Sequence, residues 1–149
     1  YYLLLGVYIL LAILLLLFAL PELFYQWYKI KRKMAKDHKE NAYYTYKSAS
    51  FLLNQLQVDR LNHTPLYFAT NVVDKRFNTS FTEFMISYLK LKYANQELNA
   101  SEQKMLQQFF LPFEQKIKSQ FTFTKRLTYF LNLNQFIRYF HLSEPQNKS

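Results

Sequence analysis

Cysteine is absent from the chain, and glycine occurs once, at Gly6. The lack of cysteine excludes thiol nucleophiles, thiolate zinc sites and disulfide bonds. Because Gly6 lies inside an apolar run, the chain has no glycine-rich loop that could bind a phosphate or a dinucleotide. Proline occurs only four times, and this scarcity favours long helices joined by short polar loops. The composition predicts an all-α protein.

Side chains that carry catalysis or bind metals are also few and dispersed. His38, His63 and His141 lie far apart in sequence, and none of them has a partner at metal-ligand spacing. The carboxylates considered as acids or bases are Asp59, Asp74, Glu83, Glu97, Glu102 and Glu114. Loop, helix-surface or capping roles suffice for all of them, so a catalytic pair would have to be united by folding. We therefore predict no catalytic residue, no metal site, no cofactor and no enzymatic activity in this chain.

The chain opens with an uncharged apolar run, residues 1–20, of sequence YYLLLGVYILLAILLLLFAL. As a helix this run is about 30 Å long, which matches the hydrocarbon thickness of a bilayer. A buried core helix and a secretory signal are the alternatives, but a signal usually has a shorter apolar stretch behind a basic start. The run therefore predicts a single membrane span. Since the first residue is not Met and already belongs to the run, we expect a C-terminal fragment of a longer protein.

Aromatic and then basic residues follow the span, as expected where a helix leaves a bilayer. The predicted interfacial residues are Trp27, Tyr28, Lys29, Lys31, Arg32, Lys33 and Lys36. The excess of Lys and Arg predicts that the C-terminal side is cytoplasmic. The same cations would attract anionic lipid headgroups, although they could serve only as a topological signal. About half of the net charge of +9 lies in this stretch, so the charge is no argument for nucleic-acid binding.

The remaining sequence predicts a small helical domain over residues 43–142, after a basic juxtamembrane segment at 29–42 and the span with its aromatic belt at 1–28. Helical spacing of apolar residues indicates a first helix from Tyr43 to Val58, which could continue the helix that leaves the membrane. Residues 143–149 are polar and predict a flexible tail.

Later helices are predicted from their starting signals. Thr64 and Pro65 form an N-cap and a first helical position. Ser80 and Glu83 have the spacing of a capping box. Another helix is predicted from Ser101, with a bend or restart at Pro112.

The last predicted helix has the sequence TKRLTYFLNLNQFIRYFHL, residues 124–142. It carries a broad aromatic-rich side with its basic residues elsewhere. Such a helix can pack in a domain or lie on a membrane surface, and the spacing does not decide between the two.

Residues 52–117 are similar to the uncharacterised domain at the C-terminus of bacterial transglutaminase-like membrane proteins. That family shows a Thr-Pro pair before an aromatic-Ala segment, then a helix that ends in a basic residue and Tyr, after a last transmembrane helix. The matching residues are Thr64, Pro65, Phe68, Ala69, Tyr88, Lys92 and Tyr93. The chain departs from the pattern at Ala94, where the family usually has Gly, and at His63, where it has an acidic or small residue.

The resemblance implies that the catalytic Cys, His and Asp of such proteins lie upstream, outside this chain. It also implies a cytoplasmic position for the present domain on the inner membrane of a bacterium. We therefore expect a membrane-anchored, non-catalytic cytoplasmic interaction module with one span. Its expected partners are the lipid bilayer, through anionic headgroups at the basic segment, and other membrane protein subunits or domains. The alternative is a small accessory or structural subunit of a multi-subunit membrane complex.

Overall fold

The computed structural model describes residues 1–58, 60–94 and 96–143, with only the backbone of Leu142 and Ser143. This part of the chain is helical and contains no β-strand, so the prediction of an all-helical chain is confirmed. The predicted flexible tail lies outside the described residues, except for Ser143, which ends the last helix. The helices are α1 (Tyr2–Lys33), α2 (His38–Gln55), α3 (Pro65–Phe68), α4 (Asp74–Phe77), α5 (Phe81–Tyr93), α6 (Ala100–Gln108), α7 (Phe110–Ser119), α8 (Phe123–Phe130) and α9 (Leu133–Ser143).

Helix α1 is long and apolar enough to cross a membrane. Side chains over residues 1–20 are exposed on every side of the helix. The helix continues through Pro21 and ends only at Lys33. The basic residues in its last turn interact favourably with the negative end of the helix dipole. One continuous helix therefore contains the apolar run, the aromatic residues and four of the six cations of the basic segment.

Helix α2 begins earlier than the predicted Tyr43 and is separate from α1. A short turn divides the two helices, and Asp37 opens α2 by accepting a hydrogen bond from the backbone N–H of Glu40 at 2.8 Å. The second half of α2 is buried from Phe51 to Leu56. Helices α1, α5, α6, α7 and α9 all pack against α2, which makes it the centre of the fold.

The helix opened by Thr64 and Pro65 forms as predicted. The Thr64 hydroxyl accepts a hydrogen bond from the backbone N–H of Tyr67 at 3.3 Å. The α3 helix passes through one π-helical turn, Ala69–Val73, into α4 without a break. Phe68 is only 5 % exposed, so this segment contributes to the core through its apolar side.

The capping box predicted from Ser80 and Glu83 is wrong. Ser80 makes no side-chain cap, and its backbone lacks the extended geometry of a capping residue. Instead the carboxylate of Asp74, on α4, accepts hydrogen bonds from the backbone N–H groups of Phe81 at 2.9 Å and Thr82 at 2.8 Å. A side chain from the preceding helix therefore caps α5, a contact that local spacing cannot reveal.

We expect Asp74→Ala to lower the free energy of unfolding by about 1–2 kcal/mol, because two buried or half-buried N–H groups lose their acceptor. Ser80→Ala is the matched control and should change the stability by less than about 0.5 kcal/mol. Chemical unfolding of the full chain in detergent micelles, followed by circular dichroism, measures both. A larger loss of stability for Ser80→Ala than for Asp74→Ala would contradict this assignment and support the capping box.

Two further helix boundaries involve asparagine and proline. Helix α6 begins after Asn99, whose side chain accepts from the backbone N–H of Glu102 at 2.8 Å, slightly before the predicted start at Ser101. The chain breaks at Phe109 and restarts as α7, with Pro112 in its first turn. The predicted restart near Pro112 is therefore confirmed, since a first turn needs no N–H donor from proline.

The single helix predicted over residues 124–142 is wrong, because the chain forms α8 and α9 there. Asn132 lies between them, and its side-chain oxygen accepts from the backbone N–H of Gln135 at 3.2 Å. Asparagine competes in this way with the backbone of a continuing helix. The side chain of Asn54 on α2 donates to the backbone oxygen of Gln135 at 2.9 Å, which fixes α9 against the central helix.

Candidate functional site

The candidate site is the junction at which α1 leaves the apolar run and enters the packed part of the fold. Pro21, Tyr25, Tyr28 and Arg32 are the buried residues of α1. Their spacing places them on one face of the helix. The junction is therefore a stripe along α1 and not a ring around it.

Aromatic rings fill the apolar side of the junction. The Phe24 ring lies 5.7 Å from the ring of Phe136 and 4.9 Å from that of Phe140, both on α9. Tyr25 is fully buried, and its ring lies 5.6 Å from that of Phe130 at the end of α8. Aromatic contacts of this kind stabilise the fold beyond the contribution from burying the rings. Helices α8 and α9 are thus attached to the first turns of α1 beyond the apolar run.

A charged cluster completes the other side of the junction. Glu114 on α7 accepts a hydrogen bond from the Tyr25 hydroxyl. Its carboxylate also lies 3.1 Å from the ammonium group of Lys29. Lys118 places its ammonium 5.3 Å from the centre of the Tyr25 ring. One carboxylate therefore joins α1 to α7 among several cations.

The acidity of Glu114 reflects these neighbours. Burial alone would raise the pKa of Glu114, but the Tyr25 hydrogen bond and the charges of Lys118 and Lys29 outweigh it. The net result is a pKa below the ordinary carboxyl value. Glu114 is therefore held in its charged form, as a hydrogen-bond acceptor and counter-ion and not as a proton donor.

Six of the seven residues predicted for the membrane interface occupy both faces of α1, and Lys36 lies in the turn beyond it. Tyr28 and Arg32 are buried, and the guanidinium of Arg32 lies 4.7 Å from the centre of the Phe110 ring. Lys29 pairs with Glu114. Tyr28, Lys29 and Arg32 therefore contact other parts of the protein. Their predicted position at the lipid interface stays a prediction, and these contacts do not favour it.

The other four predicted residues face outward or lie at the edge. Trp27 is 45 % exposed, and Lys31 lies half-buried with its ammonium 5.7 Å from the Trp27 ring. Lys33 and Lys36 are exposed. Their contact with lipid stays a prediction. The contact between Glu114 and Tyr25 was not predicted, although the spacing of Pro21, Tyr25, Tyr28 and Arg32 was a signal for a buried face.

The remaining candidate residues are not brought together. The His38 ring lies 3.3 Å from the side-chain amide of Gln107, and His63 packs on Tyr67 with ring centres 4.7 Å apart. His141 is exposed. Among the described residues, no group of three His, Cys, Asp or Glu side chains is placed to hold a metal ion. Asp59 lies outside the described residues.

Two open clefts occur in the described part of the chain. One has a volume of about 380 Å³ and is lined by aromatic side chains that include Tyr43, Tyr44 and Tyr88. Burial, together with the neighbouring Tyr46, raises the pKa of Tyr88, so its hydroxyl stays protonated. The other, of about 580 Å³, is lined in part by Lys104 and Lys116. Lys116 donates to the backbone oxygen of Asn78, which is a structural role.

No family model, curated protein or solved structure matches the chain. What the molecule itself defines is an all-helical protein with one N-terminal helix that is long and apolar enough to cross a membrane.

Proposed function

We propose that the chain is a membrane-anchored, non-catalytic interaction module, in which α1 crosses the inner membrane and the other helices form a cytoplasmic domain. The observation that carries the proposal is the division of α1 into two parts. Side chains over residues 1–20 are apolar and exposed all around the helix. Exposed apolar surface of this extent is unfavourable in water and favourable in hydrocarbon.

The second part of α1 supports an anchoring role. The stripe that contains Tyr25 and Tyr28 is built into the core, and Glu114 ties the same helix to α7. Because no loop separates the apolar run from this stripe, the span and the domain form one mechanical unit. A partner that binds the domain is thereby held at a fixed distance from the bilayer.

The charge distribution supports the cytoplasmic side for the domain. Exposed cations follow the apolar run at Lys33, Lys36 and Lys39. An excess of Lys and Arg within a few turns of a span favours the cytoplasmic side. Lys29, Lys31 and Arg32 lie in the same stretch and add to this excess.

We also propose that the parent protein is a bacterial transglutaminase-like envelope protein, of which this is the C-terminal part. Support comes from the residue pattern at Thr64, Pro65, Phe68 and Ala69. Within that pattern Thr64 caps a helix, and Phe68 and Ala69 pack in the core. Residues with structural roles of this kind are consistent with a non-catalytic domain in a protein whose catalytic residues lie in another domain.

The topology predicts the behaviour of fusions made after Ser149. We expect a fluorescent protein fused there to fold in the cytoplasm, and alkaline phosphatase fused at the same point to be inactive. Replacing the exposed Lys33, Lys36 and Lys39 with glutamine should yield a mixed orientation, because it removes half of the six cations that follow the span. Alkaline carbonate should leave the chain in the membrane fraction. An active phosphatase fusion would contradict the cytoplasmic assignment, and extraction by carbonate would contradict the span.

The proposal about the parent protein has its own test in the residues encoded upstream of Tyr1. We expect further spans and an extracytoplasmic domain that contains Cys, His and Asp. An initiator Met within a few residues of Tyr1 would contradict this and favour the accessory-subunit alternative.

A further inference from the structure

Helix α8 carries an apolar stripe that is largely exposed in the described part of the chain. Phe123 is 71 % exposed, Leu127 is 52 % exposed, and Leu131, just beyond the helix, is 40 % exposed. Their spacing of four residues places them on one side of the helix. Phe130 follows Phe123 by seven residues and therefore lies on the same side, but it is buried. The helix is therefore amphipathic, with a single apolar side on which Phe130 is buried and the other three side chains are exposed.

The C-terminal end of this stripe lies close to the end of the apolar run of α1. Phe130, at the C-terminal end of α8, contacts Tyr25, and Phe140 of α9 contacts Phe24. Phe24 is only about 6 Å along the helix axis beyond Leu20. If α1 crosses a bilayer up to Leu20, these parts of α8 and α9 lie at the depth of the lipid headgroups.

The charge of the same region indicates what kind of surface binds the stripe. Residues 115–143 contain five cations and no carboxylate. The cations are Lys116, Lys118, Lys125, Arg126 and Arg138. A second copy of the chain would bring the same positive surface against this one and be repelled. An anionic lipid surface complements both the charge and the exposed apolar side chains.

We infer that α8 docks on the anionic surface of the membrane that α1 crosses. Phe123, Leu127 and Leu131 enter the boundary between headgroups and acyl chains, and Lys125 and Arg126 lie near the phosphates. This inference rests on the proposed function, because it requires α1 to be inserted. It adds a second contact between the domain and the bilayer, which fixes the tilt of the domain relative to the membrane.

The absence of cysteine allows a direct test with single cysteines in the full chain. Leu127→Cys carries a spin label on the stripe. Ile86→Cys is the matched control, since Ile86 is 53 % exposed on α5 and belongs to a different surface. Leu10→Cys reports whether α1 is inserted. Each labelled protein is reconstituted in phosphatidylcholine vesicles with and without phosphatidylglycerol, and collisions with oxygen and with a water-soluble nickel complex are measured.

We expect the label at Leu127→Cys to collide mainly with oxygen when phosphatidylglycerol is present, while the label at Ile86→Cys collides mainly with nickel. A label at Leu127→Cys that collides mainly with nickel, beside a lipid-exposed label at Leu10→Cys, would overturn this inference and leave the anchor intact. A label at Leu127→Cys that collides with neither oxygen nor nickel would also overturn the inference, because a protein partner would then cover the stripe. A label at Leu10→Cys in water would overturn the anchor itself.

The charge contribution is tested by replacing Lys125 and Arg126 with glutamine in the Leu127→Cys protein. The ratio of docked to undocked label should fall on the order of fivefold for each cation removed. The control replaces Lys75 and Lys104, two exposed lysines on other helices, and should leave the ratio unchanged. Equal effects of the two pairs would overturn specific docking by α8.

Discussion

Replacing Phe51 with alanine is expected to lower the free energy of unfolding by about 3–5 kcal/mol, since a fully buried ring is lost and a cavity remains. Phe51 is 0 % exposed. Its ring lies 6.2 Å from that of Tyr25 and 6.0 Å from that of Tyr28 on α1, and 5.2 Å from that of Tyr139 on α9. The change therefore weakens the attachment of α1 and α9 to the central helix together.

The measurement is unfolding of the full chain in detergent micelles, followed by circular dichroism. Trp27 is the single tryptophan and lies beside the junction, so its fluorescence reports release of α1 separately. Tyr93→Ala is the matched control, because it removes an aromatic side chain from an exposed position. It should change the stability by no more than about 0.5 kcal/mol. Similar losses for both variants would contradict the burial of Phe51 at the junction.

Local signals in the sequence predicted much of the fold. The scarcity of Gly and Pro predicted the helices, and the uncharged apolar run predicted the exposed first part of α1. Thr64 and Pro65 predicted a helix start because a cap and its helix are neighbours in sequence. Each of these features depends on residues within a few positions of each other, which is why the sequence alone carries them.

Contacts between distant residues account for the errors. Asp74 caps α5 from another helix, and only the fold brings its carboxylate to the N–H groups of Phe81 and Thr82. The boundary at Asn132 was overlooked because the apolar spacing continues across it. Asparagine can form a side-chain cap that ends one helix and begins another, and the contact from Asn54 reinforces that geometry.

The candidate site includes residues that were predicted for a different role. Residues after the apolar run were assigned to the lipid interface as a continuous belt. Helical periodicity instead directs Tyr25, Tyr28 and Arg32 toward the other helices and leaves Trp27 outward. The sequence could have indicated the buried face through this spacing. It could not have identified Glu114 as the partner, because 85 residues separate Glu114 from Lys29.

Replacing Glu114 with alanine is expected to lower the stability by about 3 kcal/mol, near the lower limit for breaking a buried ion pair, since both partners keep some contact with solvent. The side chains of Lys29 and Glu114 are 18 % and 13 % exposed. The change leaves Lys29 without its counter-ion and the Tyr25 hydroxyl without its acceptor. Glu97→Ala, at an exposed position, is the control and should have little effect.

The pH dependence separates the charge of Glu114 from its packing. The folded-state pKa of Glu114 lies below the ordinary value of 4.5, so its charged form stabilises the fold fully above about pH 4.5. That contribution is lost as the pH falls below 4.5 toward the folded-state pKa, because the unfolded chain takes up the proton first. Glu114→Gln keeps the shape of the side chain but cannot ionise. We therefore expect the stability difference between the parent and Glu114→Gln to be largest near neutral pH and to shrink on acidification, when unfolding is measured at each pH. A difference that stays constant or grows in acid would contradict a charged Glu114 as the link between α1 and α7.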